Sequence, residues 1–570
     1  MSQPPRRIAL AVAACLMVAA CGAPATPGPT VSPAEPTTTT AEPTTESTPT
    51  ATPVPTPTAH RIGVRVVDGA GEFFDRATGE PFVPRGANLI RLAGGHHSTL
   101  SIGHYDPVAY EAALGRMAAD GYNTVRVFLD TFSGGLPGGA TALSSAYLDN
   151  VTDFLARAAA HRLVVLLTTD WLPESASYAF SSDPGIEDVN GMYLSKGGVA
   201  ANARFFGDFG RGLVERGARL DALLAYELRN ELYFTDKYPP FSRSSGTVTT
   251  ANGRTYDLAS DDDRNLMLEE NLVAWIDAMR SAILAVDPTA LVTVGFFQPK
   301  GPNTSRVGDD RLIETKKAIL ESSADFIDLH GYPGGELDLR QIVENFKLPA
   351  TTVKPILMGE FGAEHVAYSN ADDAVRALVQ WQMESCTHGF DGWLLWTWDT
   401  LEQPEFWNAL DADGAIEQAL APSLRPDPCT LGDLELSLDL TIGASARASS
   451  ALSGRTAGAA IDGLFETLWN ASAPAPQWIR IDLRAERTVD AIRLLVAQDP
   501  AGASRHVVSV RGSGGDWRQV KVFKGTTRDG DWLIFAPNEP LRDVRYVRVE
   551  TTSLAGGLWP AWREISILGH

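Results

Sequence analysis

The stretch "ALLAYELRNE", residues 222–231, decides how this chain folds. A mostly apolar run from Leu223 to Leu228 is typical of a buried strand, and it is followed directly by Arg229, Asn230 and Glu231. A carboxylate at the mouth of a buried strand costs solvation free energy unless another group pairs with it. The stretch therefore predicts a buried strand that delivers polar side chains to a shared site.

The same kind of apolar run recurs along the chain and alternates with helical patterns. The runs cover residues 82–90, 122–130, 162–171, 222–231, 290–297, 326–334, 355–363 and 392–399. Apolar strands separated by helices indicate a parallel sheet covered by helices. Eight such units in roughly 370 residues predict an α/β fold, a (β/α)8 TIM barrel over residues 61–430. A doubly wound open sheet is the alternative, but the glycine-rich turn that usually marks it is missing after the first run.

Polar and aromatic side chains stand at the carboxyl ends of most of these runs. They are Asn88, Arg126, Asp170, Trp171, Asn230, Glu231, His330, Tyr332, Glu360, Trp396 and Trp398. Barrel enzymes assemble their active sites at that face of the barrel. We therefore expect these side chains to line one pocket.

Two glutamates in this set suggest a reaction. Glu231 closes the fourth run and Glu360 closes the seventh, so a closed barrel brings them face to face across its mouth. Carboxyl groups about 5–5.5 Å apart suit a retaining glycosidase, in which one protonates the leaving oxygen and the other attacks the anomeric carbon. The two roles require environments that push the two pKa values apart.

Neighbouring residues fit these roles. Arg126 is expected to keep Glu360 ionised, and Tyr332 to donate a hydrogen bond to the same carboxylate. Asn230 suits the 2-hydroxyl of a sugar, and the indole of Trp396 suits the C–H face of a pyranose ring.

The motifs "NTVRV", "RNEL", "DLHGY", "MGEFG" and "LLWTW" resemble glycoside hydrolase family 5 and its wider clan of retaining barrel enzymes, across residues 61–430. The resemblance implies that Glu231 is the acid/base and Glu360 the nucleophile. It places the supporting and substrate-binding positions at Arg126, Asn230, His330, Tyr332 and Trp396, or less securely Trp398. The third run ends in "TTDW", with Trp171 as a further substrate-binding candidate, where many members carry a histidine.

The start of the chain predicts export. Arg6 and Arg7 precede an apolar stretch at 8–20 that is too short to span a bilayer, so residues 1–20 fit a signal peptide. "VAAC" resembles a bacterial lipobox that would lipidate Cys21; cleavage that leaves a free secreted protein is the alternative. Residues 21–60, rich in Pro and Thr, predict a disordered tether, so the expected location is the cell surface.

Composition restricts the remaining partners. The formal net charge of −22 disfavours nucleic acid, and we expect a monomer that meets the membrane only through its anchor. No cysteine or histidine cluster has metal-ligand spacing, so we expect no catalytic metal and no cofactor. Cys386 and Cys429 form either one disulfide or two free thiols.

The pattern changes after the barrel to short alternating strands, at 477–483, 488–496, 506–513, 517–525 and 544–552, which predicts a β-sandwich over residues 435–570. The segment that ends in "WREISILG" resembles the discoidin, or coagulation factor 5/8 C-type, domain, a family that includes sugar-binding modules. The resemblance gives Asp462, Trp469 and Trp478 mainly structural roles and allows a structural calcium ion. A purely structural appendage is the alternative.

Together these observations predict a surface-tethered retaining β-glycoside hydrolase that cuts a β-linked glucan or mannan internally. An exo-acting enzyme or a hydrolase of glycoconjugates with the same glutamates is one alternative. A non-catalytic carbohydrate-binding surface lipoprotein is another. The sugar and the linkage depend on loops at 92–104, 172–198 and 233–260.

Overall fold

The structure is a computed structural model. It describes residues 58–89, 99–132, 135–137, 143–297, 311–312, 316–333, 339–349, 351–368, 370–399, 404–430, 438–441, 443–462 and 467–570. The predicted signal peptide, Cys21 and nearly all of the predicted tether lie outside these residues. Within them, none of the helices combines the length and the apolar character needed to cross a membrane.

The barrel strands, numbered in chain order, are β1 (Arg85–Asn88), β2 (Thr124–Leu129), β3 (Val164–Thr169), β4 (Leu223–Glu227), β5 (Val292–Thr293 and Gly295–Phe296), β6 (Ile327–His330), β7 (Ile356–Phe361) and β8 (Phe390–Leu395). All neighbours are parallel, and β8 pairs with β1. The first part of β5 pairs with β4 and its second part with β6, so the ring closes there. The predicted α/β barrel is confirmed, and the open sheet is wrong because no strand edge is left between β4 and β6.

Helices cover the outside of the ring. They are α1 (Pro107–Ala119), α2 (Ser145–Ala160), α3 (Asn190–Leu194), α4 (Lys196–Glu215), α5 (Asp261–Leu284), α6 (Lys316–Glu321), α7 (Leu339–Asn345), α8 (Ala371–Cys386) and α9 (Asp411–Leu420). Helix α1 shows why they form where they do: the Asp106 side chain accepts from two backbone N–H groups at its start, and Pro107 occupies the first turn. Its buried face, with Leu114 and Met117, then packs on the barrel.

A β-hairpin of Ile62–Val67 and Ala70–Asp75 precedes the barrel and was not predicted as a separate element. Its buried Ile62 and Phe73 share an apolar cluster with Val164, at the start of β3. Residues near the starts of the other strands belong to the same cluster, so the hairpin covers the amino-terminal end of the barrel. The carboxyl ends of the strands, where the polar side chains were predicted, form the opposite end.

The C-terminal domain is an antiparallel β-sandwich, as predicted. Its strands are β9 (Leu438–Asp439), β10 (Ser445–Ala448), β11 (Trp469–Asn470), β12 (Gln477–Val496), β13 (Gly502–Arg511), β14 (Arg518–Thr527), β15 (Trp532–Phe535), β16 (Leu541–Leu554) and β17 (Ala561–Gly569). The runs predicted at 477–483 and 488–496 form one long strand, β12. Its first half pairs with β10 and β16, and its second half with β15 and β17.

The residues singled out in the sandwich have different environments. Trp469 is fully buried in the sandwich core, whereas Trp478 is half-buried. The carboxylate of Asp462 accepts hydrogen bonds from the Thr467 hydroxyl at 2.8 and 2.9 Å. In the barrel, Cys386 and Cys429 are joined by a disulfide across 43 residues, so this pair does not consist of free thiols.

Candidate active site

The two predicted glutamates meet at the barrel mouth. Glu360 is the penultimate residue of β7 and is buried, whereas the Glu231 side chain is 28% exposed. One carboxylate oxygen of Glu231, one of Glu360 and a ring nitrogen of His330 all lie within 4.8 Å of one another. Residues more than 120 positions apart in the chain therefore bring their carboxylates to one place at the barrel mouth.

Glu231 lies beyond the strand that was predicted to end with it. Strand β4 stops at Glu227, and Glu231 adopts a φ of +35°, a region that side chains other than glycine rarely occupy. The backbone is fixed on both sides, because Asn230 N–H donates to the Thr169 carbonyl at 2.8 Å and Leu232 N–H donates to the Gly295 carbonyl at 3.0 Å. Such strain persists only where neighbours over-determine the conformation, and it is concentrated at functional sites.

Arg126 joins the site from β2 and is fully buried. Its Nη1 donates to Glu360 Oε1 at 2.5 Å, which is the predicted contact, and to Asn88 Oδ1 at 2.9 Å. Its Nε and Nη2 donate to the two oxygens of Glu227 at 2.7 and 2.6 Å. Nη2 also donates to Asn230 Oδ1 at 2.7 Å, so Arg126 positions the residue next to Glu231. Burial alone lowers the pKa of Arg126, but the charges of Glu227 and Glu360 outweigh it and hold that pKa well above its usual value.

Two acids that the sequence analysis did not assign lie beneath the pair. Glu227 ends β4, and Asp328, in β6, is fully buried with neither carboxylate oxygen hydrogen-bonded to a described residue. Burial, with the charge of Glu227 adding to it, raises the pKa of Asp328 to about 8, which favours the protonated carboxyl near neutral pH. The sequence feature that could have revealed both residues is an acid inside an otherwise apolar run, in "LAYEL" for Glu227 and in "FIDLH" for Asp328.

Glycines make room for these acids. A Cβ on Gly359 would lie 2.1 Å from Asp328 Oδ1, and one on Gly295 would lie 2.4 Å from Glu227 Oε1. Any larger side chain at either position would have to displace a buried carboxyl group from the polar cluster. Gly359, the first glycine of "MGEFG", therefore leaves room for the buried carboxyl group of Asp328.

His330, at the end of β6, lies between the acids. Its Nδ1 is 3.2 Å from Glu231 Oε1 and 3.4 Å from Glu360 Oε2, and its Nε2 is 3.9 Å from Asp328 Oδ1. Burial acts to lower the pKa of His330, but the charge of Glu360 and the hydrogen bond with Glu231 outweigh it and raise that pKa to about 9. The imidazole is therefore a cation at neutral pH and contacts both candidate catalytic carboxylates.

The environment of Glu360 combines opposing effects. Burial, helped by the charge of Glu231, raises its pKa above the usual value, although His330 and Arg126 act to lower it. The Tyr332 hydroxyl also lowers it by donating to Glu360 Oε2 at 2.6 Å, as predicted. Both oxygens of Glu360 thus accept hydrogen bonds, which fixes the orientation of the carboxylate toward the barrel mouth.

The predicted tryptophans have three different environments. Trp396 packs edge-on against Phe128 with ring centroids 5.8 Å apart, in a small cluster that Tyr332 and Phe406 complete. Phe406 was not predicted, because it follows the last strand in an irregular segment. The guanidinium carbon of Arg229 lies 4.0 Å from the centroid of the Trp171 ring, so Arg229 already covers one face of this indole.

Trp398 corrects the sequence-based expectation of a sugar platform. It is 1% exposed and packs edge-on against Tyr122 at 5.9 Å between centroids. It is therefore a core residue of the barrel, and its position two residues after Trp396 does not bring it to the mouth.

Comparisons with known families agree with this fold. The profile of "Cellulase (glycosyl hydrolase family 5)" matches residues 77–402, and that of "F5/8 type C domain" matches residues 445–565. The family matched by the barrel defines a glycoside hydrolase. The chain belongs to glycosyl hydrolase family 5, whose catalysis needs no cofactor. No curated protein has a matching sequence.

Solved structures resemble the two domains separately. The exo-beta-1,4-mannosidase Op5Man5 from Opitutaceae bacterium strain TAV5 is 19% identical, with 62% of this chain and 61% of that chain covered and a TM-score of 0.43. The family 32 CBM from C. perfringens NanJ, in complex with galactose, is 19% identical over 23% of this chain and 98% of that chain, at a TM-score of 0.21. A chitosan-binding module of a chitosanase/glucanase from Paenibacillus sp. IK-5 is 29% identical over 23% and 99%, also at 0.21.

Proposed function

We propose that this protein hydrolyses a β-linked polysaccharide, a glucan or mannan, by double displacement, with Glu360 as the nucleophile and Glu231 as the acid/base. The carrying observation is that the two carboxylates present oxygens within 4.8 Å of each other. Retaining enzymes have carboxyl groups about 5–5.5 Å apart, whereas inverting enzymes need about 6.5–9.5 Å to hold a water between them. The description of the matched family as a cellulase favours a β-glucan over a mannan as the substrate.

In the first step, Glu360 attacks the anomeric carbon as the bond from that carbon to the leaving oxygen breaks. Glu231 gives its proton to the leaving oxygen. Arg126 and Tyr332 hold one oxygen of Glu360 each, at 2.5 and 2.6 Å, so the carboxylate keeps one orientation during attack.

In the second step, Glu231 takes a proton from water, and the water oxygen attacks the anomeric carbon. The bond from this carbon to Glu360 breaks, which restores the carboxylate and releases a sugar with its original anomeric configuration. Asn230, held by Arg126 at 2.7 Å, presents its amide near Glu231, where it suits the 2-hydroxyl of the bound sugar.

The contacts of the nucleophile oppose the effect of its burial. Arg126 and Tyr332 each donate a hydrogen bond to Glu360, and His330 Nδ1 lies 3.4 Å from its Oε2. A buried carboxylate is tolerated when paired and hydrogen-bonded in this way.

The proposal extends to the rest of the chain. We propose export with a signal peptide at 1–20, a lipid anchor at Cys21, a tether over 21–60, and a sandwich that binds carbohydrate. Secretion without an anchor is the alternative, which a Cys21→Ser variant tests: the protein should move from the membrane fraction to the medium. A protein that stays with the membrane would contradict the anchor.

The resemblance of the sandwich to the discoidin domain also leads us to propose a structural calcium ion there. Asp462, whose carboxylate accepts a hydrogen bond from the Thr467 hydroxyl, is the residue at which to test it, because calcium prefers carboxylate and hydroxyl oxygens. A calcium-dependent rise in melting temperature that is absent in Asp462→Asn would support the site, and equal melting curves with calcium and with chelator would remove it.

The test of the main proposal is product analysis on a polysaccharide panel of β-glucans, β-mannans, xylan and α-linked controls. The anomer released at the earliest time points is read by NMR. We expect a β-linked glucan or mannan to be cut with retention, and the product sizes to separate internal from terminal cleavage. Inverted product would contradict double displacement, and no hydrolysis of any polymer or aryl glycoside would favour a binding protein.

A further inference from the structure

Three arginines stand side by side on the outer surface of the sandwich. Arg447 on β10 pairs with Arg480 on β12, which pairs in turn with Arg548 on β16. Directly paired residues of antiparallel strands point to the same face, and the residues flanking Arg480 and Arg548 are buried, so the three guanidinium groups project outward. We call Arg447, Arg480 and Arg548 the arginine row.

Aromatic rings lie between these guanidinium groups and extend the surface. Arg548 lies 5.2 Å from the Trp478 ring centroid, and Arg480 lies 5.3 Å from that of Tyr546. Arg511, which ends β13 and pairs with Tyr546, has its guanidinium carbon 4.8 Å from the centroid of the Tyr546 ring. The face therefore places flat cations beside flat apolar rings, with Glu550 opposite Trp478 and Asp482 opposite Tyr546, and stacking holds the guanidinium planes in place.

The positive charge of this face is only partly neutralised. Arg548 pairs with Glu550 at 2.9 Å. Among the residues that the structure describes, Arg447, Arg480 and Arg511 form no ion pair with a carboxylate. Like charges placed directly opposite one another destabilise a sheet, and the chain as a whole carries a net charge of −22. A cationic row on such a chain therefore calls for an anionic partner.

The contacts with the barrel come from a different part of the domain. Arg493, in the second half of β12, lies 4.9 Å from the ring of Tyr368 in the barrel. Trp532 on β15 packs against the barrel core cluster. The arginine row uses only the first half of β12 and its neighbours β10 and β16.

We propose that the arginine row, with Trp478, Tyr546 and Arg511, binds a polysaccharide that carries carboxylate groups, such as one built from uronic acids. Guanidinium groups match carboxylates in two-pronged geometry, and aromatic planes pack on the C–H faces of sugar rings. The choice of a glycan over other polyanions rests on the proposed function of the barrel. The surface would hold the enzyme on acidic cell-wall material while the barrel cuts a neighbouring chain.

The test is affinity gel electrophoresis of the full chain carrying Glu360→Gln, so that cleavage does not remove the probe. The gels contain polygalacturonate, or carboxymethyl-cellulose compared with hydroxyethyl-cellulose, which shares its backbone without the carboxylates. We expect retardation by the two acidic polymers that weakens as salt is raised. The Arg480→Gln/Arg548→Gln variant should weaken it by about tenfold or more, since one hydrogen bond between charged groups accounts for roughly that factor.

Two further variants make the result specific. Arg528→Gln removes an exposed arginine of the same domain that is paired with Asp531, and it should leave retardation unchanged. Arg447→Gln changes an exposed residue of the row and should weaken binding even if the double variant fails to fold.

Three outcomes would overturn the proposal. They are equal retardation of the unmutated and row variants, equal retardation by the neutral cellulose derivative, and tighter binding of a single-stranded DNA of similar charge. Hydrolysis by the protein without Glu360→Gln is measured separately. Loss of the proposed catalytic function and loss of this binding surface are therefore distinguishable.

Discussion

The hydroxyl of Tyr332 donates a hydrogen bond of 2.6 Å to Oε2 of Glu360, the oxygen that Arg126 does not hold. This bond favours the ionised carboxylate. In Tyr332→Phe we expect kcat to fall about 10–100-fold, since a hydrogen bond to a charged group contributes roughly 1.5–3 kcal/mol. The pKa of Glu360 should rise further, which moves the acidic limb of kcat/KM to higher pH.

A matched control for this variant is Tyr226→Phe, which removes a hydroxyl that donates to Asp287 at 3.0 Å on the side of β4 that packs against Phe209 of α4. Its pH profile should equal that of the unmutated protein. An unchanged acidic limb in Tyr332→Phe would show that the hydroxyl does not stabilise the ionised nucleophile.

The two glutamates should be separable by chemical rescue. In Glu231→Ala we expect a loss of about 10²–10⁴-fold on substrates with poor leaving groups, the usual contribution of a general acid/base. Azide added to this variant should give a β-glycosyl azide, because it replaces water on the glycosyl-enzyme. In Glu360→Ala azide should give the α-product by direct attack. The same azide anomer from both variants would contradict the assignment.

Arg126 should be critical for stability as well as for catalysis. It is fully buried and contacts Glu227, Glu360, Asn88 and Asn230, so Arg126→Met removes the arginine partner of two buried carboxylates. We expect the free energy of unfolding to fall by about 3–5 kcal/mol in denaturant titrations. The more exposed pair of Arg211 and Asp208 provides the control: Arg211→Met should cost less than about 1 kcal/mol.

Asp328 should make stability fall as pH rises. Its pKa is raised from 3.8 to about 8 in the folded state, so between these values the folded protein holds a proton that the unfolded chain has lost. Stability is therefore fully present below pH 4 and is lost toward pH 8, by at most about 1.4 kcal/mol per pH unit for one proton. Melting temperatures of Asp328→Asn should fall less steeply with pH over this range.

His330 contributes a second pH dependence that Asp328→Asn leaves in place. Its pKa is raised from 6.5 to about 9, so its contribution to stability is present below pH 6.5 and is lost as pH rises toward 9. The groups that face these two residues are Arg126, Glu227, Glu231 and Glu360. Identical pH slopes for Asp328→Asn and for the unmutated protein would show that Asp328 is ionised throughout.

The periodicity of the sequence determined the order of strands and helices. Apolar runs buried on both faces must be covered by helices, which identified the barrel, and the change to short alternating strands identified the sandwich. The boundaries were less certain, since apolar character continues past the last paired residue. Thus the strand predicted from "ALLAYELRNE" ends at Glu227, and Glu231 lies beyond it with a strained backbone conformation.

The same local patterns named Glu231, Glu360, Arg126 and Tyr332, because each lies in or just beyond a strand whose direction is fixed by the parallel sheet. Three-dimensional packing decided the rest. Burial and like charge raise the pKa of Asp328, and Trp398 lies in the core although it is two residues from Trp396. The arginine row exists only through the register of three strands, since residues 447, 480 and 548 have no relation in the linear chain. Sequence shows which groups are available, whereas their protonation and proximity depend on distances that only the folded chain defines.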